Sequence, residues 1–318
     1  MDEAKKQDPQ SQASTRQSKD YEIYGDETER IKRYPKADPP PPPVKCEFCG
    51  RTLYAHGIEL GQVIHWFGPE RCNCQKAIEK AECEEAERIA KQKREEEAER
   101  NRQLQERVRK IVGQSGIGAR FRLRTFDSFE LTEENKKAAT ICQKYADTFR
   151  EKLPTKEHPN PGRNGLFITG PKGTGKTHLV AAIANKLMNQ GIPVVCMTMI
   201  DLLERIKSTY TITRQRFGGG YDAADVLDAY TDVSLLIIDD LGKEQATEWA
   251  ISRIYAIINA RYEALMPTII TTNYSEAELL RRLTPKETND DTTADATIDR
   301  LREMCAAIVT TGDSWRKK

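Results

Sequence analysis

The feature that most constrains this chain is a glycine-rich run at residues 170–177, which reads G-x-x-x-x-G-K-T. A short apolar segment at 166–169 precedes it, and a helical pattern at 178–189 follows it. Glycines let a backbone approach a polyphosphate closely, and the N-terminus of the following helix favours negative charge. This order predicts a P-loop for ATP rather than a plain glycine-rich turn. The residues predicted to bind the nucleotide are Gly170, Pro171, Lys172, Gly173, Thr174, Gly175, Lys176, Thr177 and His178.

Two carboxylates at the end of another apolar segment predict the metal site that such a loop needs. Leu235–Ile238 has the pattern of a buried strand, and Asp239 and Asp240 follow it directly. We expect Lys176 to contact the β- and γ-phosphates, and Thr177 and Asp239 to hold Mg²⁺. Asp240 is expected to polarise the attacking water, and hydrolysis is expected to be slow because Asp is shorter than the Glu used by many related ATPases.

Asn273 follows a third apolar segment and is expected at the same edge of the sheet. Ligands of open α/β sheets bind at the carboxyl ends of the strands, so Asn273 is placed to hydrogen-bond the γ-phosphate or the attacking water. A simple turn residue is the alternative interpretation. Glu244, close to the two carboxylates in sequence, is a weaker candidate for activating water.

Short apolar, β-branched segments alternate with helical patterns from residue 121 onward. This alternation predicts an α/β fold with a parallel five-stranded sheet covered on both faces. Residues 154–164 are expected to form a Pro/Gly loop, and residues 284–297 a polar, mobile insertion. The predicted strands are Leu166–Thr169, Val194–Met197, Leu235–Ile238, Thr268–Thr272 and Ala307–Thr310.

Four of the eight cysteines lie close together in sequence, as a C-x-x-C pair and a C-x-C pair. Such pairs, with short strands predicted at 53–54 and 63–66 between them, predict a tetrahedral structural Zn²⁺ site. His56 or His65 is an alternative ligand in place of Cys74. A disulfide or a redox pair is disfavoured by the expected cytosolic setting and by the lack of a surrounding βαβ pattern. The four predicted ligands are Cys46, Cys49, Cys72 and Cys74.

Composition divides the rest of the chain. Residues 1–43 are polar and end in a proline run, so we expect a disordered tail; residues 44–75 form the zinc module. Residues 76–112 are charged, with many i,i+4 pairs, and predict a long solvated connecting helix rather than a coiled coil. Residues 113–318 are assigned to the ATPase domain.

Charge and hydropathy exclude some classes of function. The net charge of +1 favours no partner by itself. No apolar run approaches the roughly 18 residues of a membrane span, and the N-terminus has no signal-peptide pattern, so we expect a cytoplasmic protein with no membrane partner.

A segment at 208–228 mixes basic and aromatic residues with three consecutive glycines. This composition suits single-stranded DNA, because cations follow the backbone and rings stack on bases. An exposed loop with ordinary charge is the alternative. The candidate DNA-binding residues, including two just upstream, are Arg205, Lys207, Tyr210, Arg214, Arg216 and Tyr221.

Together these motifs resemble the AAA+ ATPases of the DnaC/DnaI helicase-loader group and the related IstB-type transposition helpers. The resemblance covers residues 113–318, about two-thirds of the chain. It is carried by GIGARF at 116–121 with Thr125 and Phe126, GPKGTGKTHL at 170–179, LLIIDDLG at 235–242, NARYEALMPTIITTNY at 259–274, IDRL at 298–301 and SWR at 314–316.

The resemblance implies further roles. Asn273 becomes sensor 1, Arg300 an arginine finger given in trans to a neighbouring subunit, and Arg316 sensor 2 in cis. Members of the family assemble as open rings or spirals and grip single-stranded DNA around the segment equivalent to 205–221. An N-terminal zinc module is similar to that of DnaI, where it contacts the replicative helicase.

The leading hypothesis is therefore an ATP-dependent loader of a hexameric replicative helicase, with ATP hydrolysis as a switch. An IstB-type transposition helper that binds duplex DNA is the second hypothesis. A zinc adaptor that binds nucleotide without hydrolysis is the third, and the presence of Asp239, Asp240 and Arg300 disfavours it.

Overall fold

The computed structural model describes residues 40–60, 63–112, 122–215, 223–243 and 246–315. The chain divides into two compact units, Met1–Arg94 and Glu95–Lys318, which are described separately. Several predictions lie outside the described residues: most of the 1–43 tail, the 116–121 motif, and Arg216, Tyr221, Glu244 and Arg316.

The first unit contains two small antiparallel sheets. Strands β1 (Val44–Lys45) and β2 (Thr52–Leu53) pair with each other, and β3 (Ala55–Leu60) pairs with β4 (Val63–Pro69). The sequence predicted the region of β2 and β4 but missed β3. Only Ala55 and Gly57 of β3 are buried among its described side chains, so its apolar signal is weak.

The charged stretch at 76–112 lies within one helix, α1 (Gln75–Val112), and the boundary between the two units falls inside it. Most of its side chains are exposed. Near its C-terminal end the pattern changes, because Val108 is only 4% exposed and Leu104 packs against the core of the second unit. Arg107 adds ion pairs to Asp228 and Asp232 at 3.6 and 3.2 Å.

The second unit is built on a five-stranded sheet in the order β6-β7-β8-β5-β9, with every neighbouring pair parallel. This confirms the predicted α/β class. The strands are β5 (Gly165–Thr169), β6 (Val194–Thr198), β7 (Leu235–Asp239), β8 (Thr268–Thr272) and β9 (Cys305–Val309). The fifth strand begins two residues earlier than predicted and ends at Val309, because buried Cys305 already pairs with Gly165.

Helices cover both faces of this sheet. Alternate residues of β7 divide between two apolar cores, Leu235 and Ile237 on one face and Leu236 and Ile238 on the other. Burial on both faces explains why the strand is apolar without alternation. The helices are α2 (Lys136–Asp147), a short 3-10 turn (Phe149–Lys152), α3 (Lys176–Asn189), α4 (Met199–Gln215), α5 (Ala223–Asp232), α6 (Glu248–Glu263), α7 (Glu276–Leu283) and α8 (Thr292–Met304).

One sequence prediction and one alternative interpretation of irregular structure were wrong in part. The insertion expected at 284–297 is helical from Thr292 onward, and Ala294 and Thr297 are fully buried. The segment from residue 208, for which an exposed loop was the alternative interpretation, belongs to helix α4 as far as Gln215. Polar composition misled in both places, since small and polar side chains are tolerated within packed helices.

The amino end of the sheet is closed by Arg261, a fully buried cation at the end of α6. Its guanidinium donates five hydrogen bonds, none of them to a carboxylate. Burial lowers the pKa of Arg261 to about 9. The acceptors are the carbonyl oxygens of Tyr230, Thr231, Val233 and Pro267 and the hydroxyl of Thr268.

None of the helices in the described part of the chain combines the length and apolar character that crossing a bilayer requires.

Candidate functional site

The glycine-rich loop joins the carboxyl end of β5 to the first turn of α3, as the motif predicts. Gly170 has φ of 150°, and a Cβ there would lie 2.2 Å from the Thr310 carbonyl oxygen. A Cβ on Gly173 would lie 2.0 Å from Ser314 Oγ. These glycines therefore have a second role besides phosphate approach, because the segment after β9 packs directly against the loop.

Lys176 is the buried cation of this loop, with 5% of the residue exposed. Its ammonium donates to the carbonyl oxygens of Gly170 at 2.7 Å and Pro171 at 2.8 Å. These bonds hold the charge over the loop, where the phosphates of a nucleotide are expected. Thr174 supports the turn, since its hydroxyl lies 2.9 Å from the Pro171 carbonyl and 2.7 Å from the Thr310 hydroxyl.

The predicted magnesium ligands meet at the ends of β7 and α3. Thr177 Oγ1 lies 2.9 and 3.2 Å from the two carboxylate oxygens of Asp239. The Thr271 hydroxyl donates to Asp239 Oδ1 at 2.5 Å. Burial raises the pKa of Asp239, and the nearby charge of Asp240 adds to this, while the Thr271 hydroxyl opposes it. A buried carboxylate beside a hydroxyl is a suitable pair of ligands for a hard divalent cation.

Asp240 adopts a left-handed backbone conformation, with φ of 58°. Its N–H donates to Thr271 Oγ1 at 2.9 Å, and the Leu241 N–H donates to the Thr271 carbonyl at 2.8 Å. Non-glycine residues in this region cost about 1–3 kcal/mol and cluster at functional sites. The Asn273 amide lies 3.3 Å from Asp240 Oδ1, so these two predicted residues are brought together.

Thr271 is a site residue that the sequence analysis did not single out. Its hydroxyl contacts both neighbouring acidic residues, accepting from the Asp240 backbone and donating to the Asp239 carboxylate. A signal existed, because Thr271 sits two residues before Asn273 at the carboxyl end of β8. Side chains of adjacent parallel strands meet at that edge.

Two of the residues predicted to bind the nucleotide, His178 and Lys172, do not contact the other predicted site residues through the hydrogen bonds described above. His178 Nε2 lies 2.9 Å from the Thr125 carbonyl oxygen and 3.3 Å from Ser128 Oγ, and its ring meets Phe129 edge-on at 5.0 Å. Burial lowers the pKa of His178. The imidazole therefore joins α3 to the segment at 125–129. Lys172 is exposed on the loop.

The candidate DNA residues that are described all lie on α4: Arg205, Lys207, Tyr210 and Arg214. Lys207 is exposed, and its ammonium lies 4.9 Å from the centre of the Trp249 ring. The predicted finger, Arg300, lies on α8.

In the first unit the four predicted cysteines come together, with all four sulfur atoms within 4.8 Å of one another. The Cys46–Cys74 and Cys49–Cys72 sulfur separations are 3.8 and 3.4 Å. Four sulfurs at 2.3 Å from a tetrahedral Zn²⁺ are about 3.8 Å apart, whereas a disulfide needs about 2.05 Å. The geometry therefore fits zinc and no disulfide.

The backbone around the cluster forms a tight turn. The Cys46 N–H donates to the Arg51 carbonyl at 2.8 Å, and the Gly50 N–H donates to the Cys46 carbonyl at 2.9 Å. Backbone N–H groups of Phe48 and Cys49 lower the pKa of Cys46, whereas the sulfur of Cys49 and burial raise the pKa of Cys72, so the cluster without metal shares its protons unequally. Neither His56 nor His65 belongs to the cluster in the described part of the chain.

A family model and several curated proteins are similar to this chain. The model of the family "IstB-like ATP binding protein" matches residues 121–318, more than half of the chain. The "Replicative helicase loader DnaC" of Buchnera aphidicola subsp. Baizongia pistaciae is 27% identical over 218 residues, which are 67% of this chain and 77% of that protein. The DnaC of Escherichia coli strain K12 is 26% identical over 179 residues, 56% of this chain and 66% of that protein.

A crystal structure titled as the DnaC helicase loader is also similar, with 24% identity and a TM-score of 0.48 over 61% of this chain and all of that one. The matched region includes the loop at 170–177, the two carboxylates at the carboxyl end of β7 and the polar end of β8. The match of the family model over more than half of the chain shows that the chain belongs to the IstB-like ATP-binding protein family.

Proposed function

We propose that this protein is an ATP-dependent loader of a replicative helicase, acting in DNA replication. The observation that carries the proposal is its match to relatives named as replicative helicase loaders, over a region as long as the ATP-binding domain. The match spans only 66% of the Escherichia coli relative, so the remainder of that protein lends no support.

ATP binding and slow hydrolysis are proposed at the carboxyl end of the sheet. Lys176 is placed for the β- and γ-phosphates, and Thr177 and Asp239 for Mg²⁺, which would neutralise charge on the phosphate oxygens. Asp240 polarises the attacking water and Asn273 orients it, consistent with their 3.3 Å contact. Hydrolysis then acts as a timing switch for the assembly.

Self-association into a ring or spiral is proposed because Arg300 is poorly placed to act on its own nucleotide. It lies one turn before the end of α8, and β9 starts immediately afterwards at the amino end of the sheet. The P-loop follows the opposite, carboxyl end of β5, and five-residue strands separate these ends by roughly 13 Å. A finger in trans, with Arg316 of the same chain as sensor 2, fits this placement.

Single-stranded DNA is proposed to bind along α4 and the segment after it. Arg205, Lys207, Tyr210 and Arg214 share this helix, and Arg216 and Tyr221 follow it. In an oligomer, these basic and aromatic residues would repeat around a pore, where cations neutralise phosphates and rings stack on bases.

The four-cysteine module is proposed to bind structural Zn²⁺ and to hold the hexameric helicase. Because so small a unit buries little apolar surface, metal binding would supply most of its folding free energy, about 10 kcal/mol. Cys72→Ser should release zinc and unfold this unit, whereas Cys83→Ser, on exposed α1, should do neither. Metal content and the circular dichroism of the purified proteins measure both.

The central test of the loader is native mass spectrometry with the replicative helicase of the same host, with and without ATP. A stoichiometric complex that Cys72→Ser abolishes and Cys83→Ser preserves is expected. Without such a complex the loader proposal fails, and ATP-dependent filaments on duplex DNA would then favour the transposition helper.

A further inference from the structure

A second cluster of polar and aromatic side chains lies near the amino end of the sheet, between α6 and α8. Arg300 is half-buried there, and its Nε donates to Asn259 Oδ1 at 2.5 Å. Its Nη1 donates to the Ala296 carbonyl at 3.2 Å. The guanidinium carbon lies 4.8 Å from the centre of the Tyr255 ring and 5.7 Å from that of Tyr262.

We propose that Tyr255, Asn259 and Tyr262 form a clamp on α6 that fixes Arg300 for insertion into the ATP site of a neighbouring subunit. The clamp residues are positioning residues, since they act through Arg300. This inference rests on the proposed function, in which Arg300 is the finger, and it adds the residues that hold the finger in place.

The chemistry of the clamp preserves the charge that a finger needs. Its three members are a neutral amide and two neutral rings, so they orient the guanidinium without neutralising it. Arg302, two residues further along α8, contrasts with this arrangement. It is paired with two carboxylates, those of Glu276 and Asp299.

The contacts also leave part of the guanidinium available. Among the residues that the structure describes, Nε and Nη1 of Arg300 each donate a hydrogen bond, whereas Nη2 donates to no acceptor. A planar guanidinium held through Nε and Nη1 presents Nη2 in a fixed direction. Pre-ordering matters, because a free arginine side chain carries about 2 kcal/mol of rotamer entropy.

The clamp residues are themselves fixed. The Tyr262 hydroxyl donates to Glu303 Oε2 at 2.8 Å, which anchors its ring to the last turn of α8. The Asn259 amide donates to Glu263 Oε1 at 2.8 Å, one turn further along α6. Since Asn259 uses its oxygen for Arg300 and its nitrogen for Glu263, the orientation of its amide is set by two partners.

The test measures steady-state ATP hydrolysis and ATP affinity of full-length variants. Asn259→Ala and Tyr255→Ala should lower kcat about 10- to 100-fold, as small misplacements of catalytic groups do. ATP affinity should be unchanged, because the bound nucleotide lies at the other end of the sheet. Tyr255→Phe, which keeps the ring face, should retain wild-type kcat.

Two matched controls separate positioning from general damage. Ser252→Ala changes an exposed residue on the same helix, α6, and should leave kcat within about twofold of wild type. Arg302→Ala removes a neighbouring arginine that is paired with carboxylates, and it should also leave kcat nearly unchanged.

The deciding readout is complementation. Lys176→Ala subunits keep an intact finger, and Asn259→Ala subunits keep an intact ATP site. In an equimolar mixture that assembles at random, about a quarter of the interfaces combine the two. Activity should rise well above that of either protein alone. A fold defect within the Asn259→Ala subunit would not be rescued, so failure of mixing overturns the clamp.

The outcome for Arg300→Ala separates the clamp from the function on which it rests. If Arg300→Ala loses hydrolysis and is rescued by mixing, while the clamp variants keep full kcat, the finger stands and the clamp is refuted. If Arg300→Ala itself retains full kcat, the trans finger is refuted, and the clamp with it.

Discussion

Two buried cations, Lys176 and Arg261, lie at opposite ends of the same sheet and differ in the groups that surround them. Lys176, at the carboxyl end, is held by two carbonyls of a glycine-rich loop, contacts that a phosphate can replace. Arg261, at the amino end, is fully buried and donates five hydrogen bonds to acceptors in two segments of the chain, 230–233 and 267–268. The first charge lies where we propose that a phosphate binds, and the second ties α5, α6 and β8 together.

The largest effect should come from removing the structural cation. Arg261→Met leaves its acceptors buried without a donor, each costing about 1–3 kcal/mol. We expect the free energy of unfolding to fall by at least about 3 kcal/mol, measured by urea denaturation, with ATP affinity of the remaining folded protein unchanged. Arg302→Met, an exposed match, should change stability by less than about 0.5 kcal/mol. Normal stability with lost ATP binding would instead place Arg261 in the site.

The difference between the two cations also explains what sequence could predict. The two carbonyl oxygens that accept from Lys176 are five and six residues away, so one local motif is enough to predict where this residue lies. The partners of Arg261 include residues about 30 positions earlier, which meet it only after the sheet has formed. The strand order and the contact of Thr271 with Asp239 depend on the fold in the same way.

A change of intermediate size is expected at Thr271, which connects the carboxylates at the carboxyl end. Thr271→Val removes the donor to Asp239 and the acceptor of the Asp240 N–H. We expect kcat to fall about tenfold and Mg²⁺ to bind more weakly, since a lost bond to a charged group costs about 1.5–3 kcal/mol.

Thr272→Val is the matched control, because Thr272 is equally buried on the same strand but bonds the Leu241 carbonyl instead. It should lose some stability and keep kcat within about twofold. Equal losses of kcat in both variants would show that buried hydroxyls at this edge serve packing alone.

The smallest effect is a pH dependence of Asp239. Its pKa is raised, mainly by burial, so the folded protein binds a proton here more readily than the unfolded chain does. Without Mg²⁺, the charged carboxylate of Asp239 therefore destabilises the folded protein, and this cost is removed as pH falls through the pKa that Asp239 has in the folded state. Mg²⁺ affinity should weaken over the same pH range, because protonation removes the charge of the ligand. At neutral pH, Asp239→Asn should be at least as stable as wild type.

The difference in unfolding free energy between wild type and Asp239→Asn, measured across acidic pH without Mg²⁺, checks this sign. The free energy of unfolding of wild type should rise relative to that of Asp239→Asn as pH falls. Glu133→Gln, at a side chain that is 93% exposed, should show no such trend. A wild-type advantage that grows with rising pH would contradict a carboxylate destabilised by burial.

Thermal unfolding with and without Mg²⁺ and ATP tests the central claim most directly, namely that the loop at 170–177 is a nucleotide site. Ligand at 100 times its Kd should add about 2.7 kcal/mol of stability to wild type. Lys176→Ala should unfold at nearly the wild-type temperature and show no shift with ATP. A full ATP shift in Lys176→Ala would contradict the account, because the ligand would then bind elsewhere.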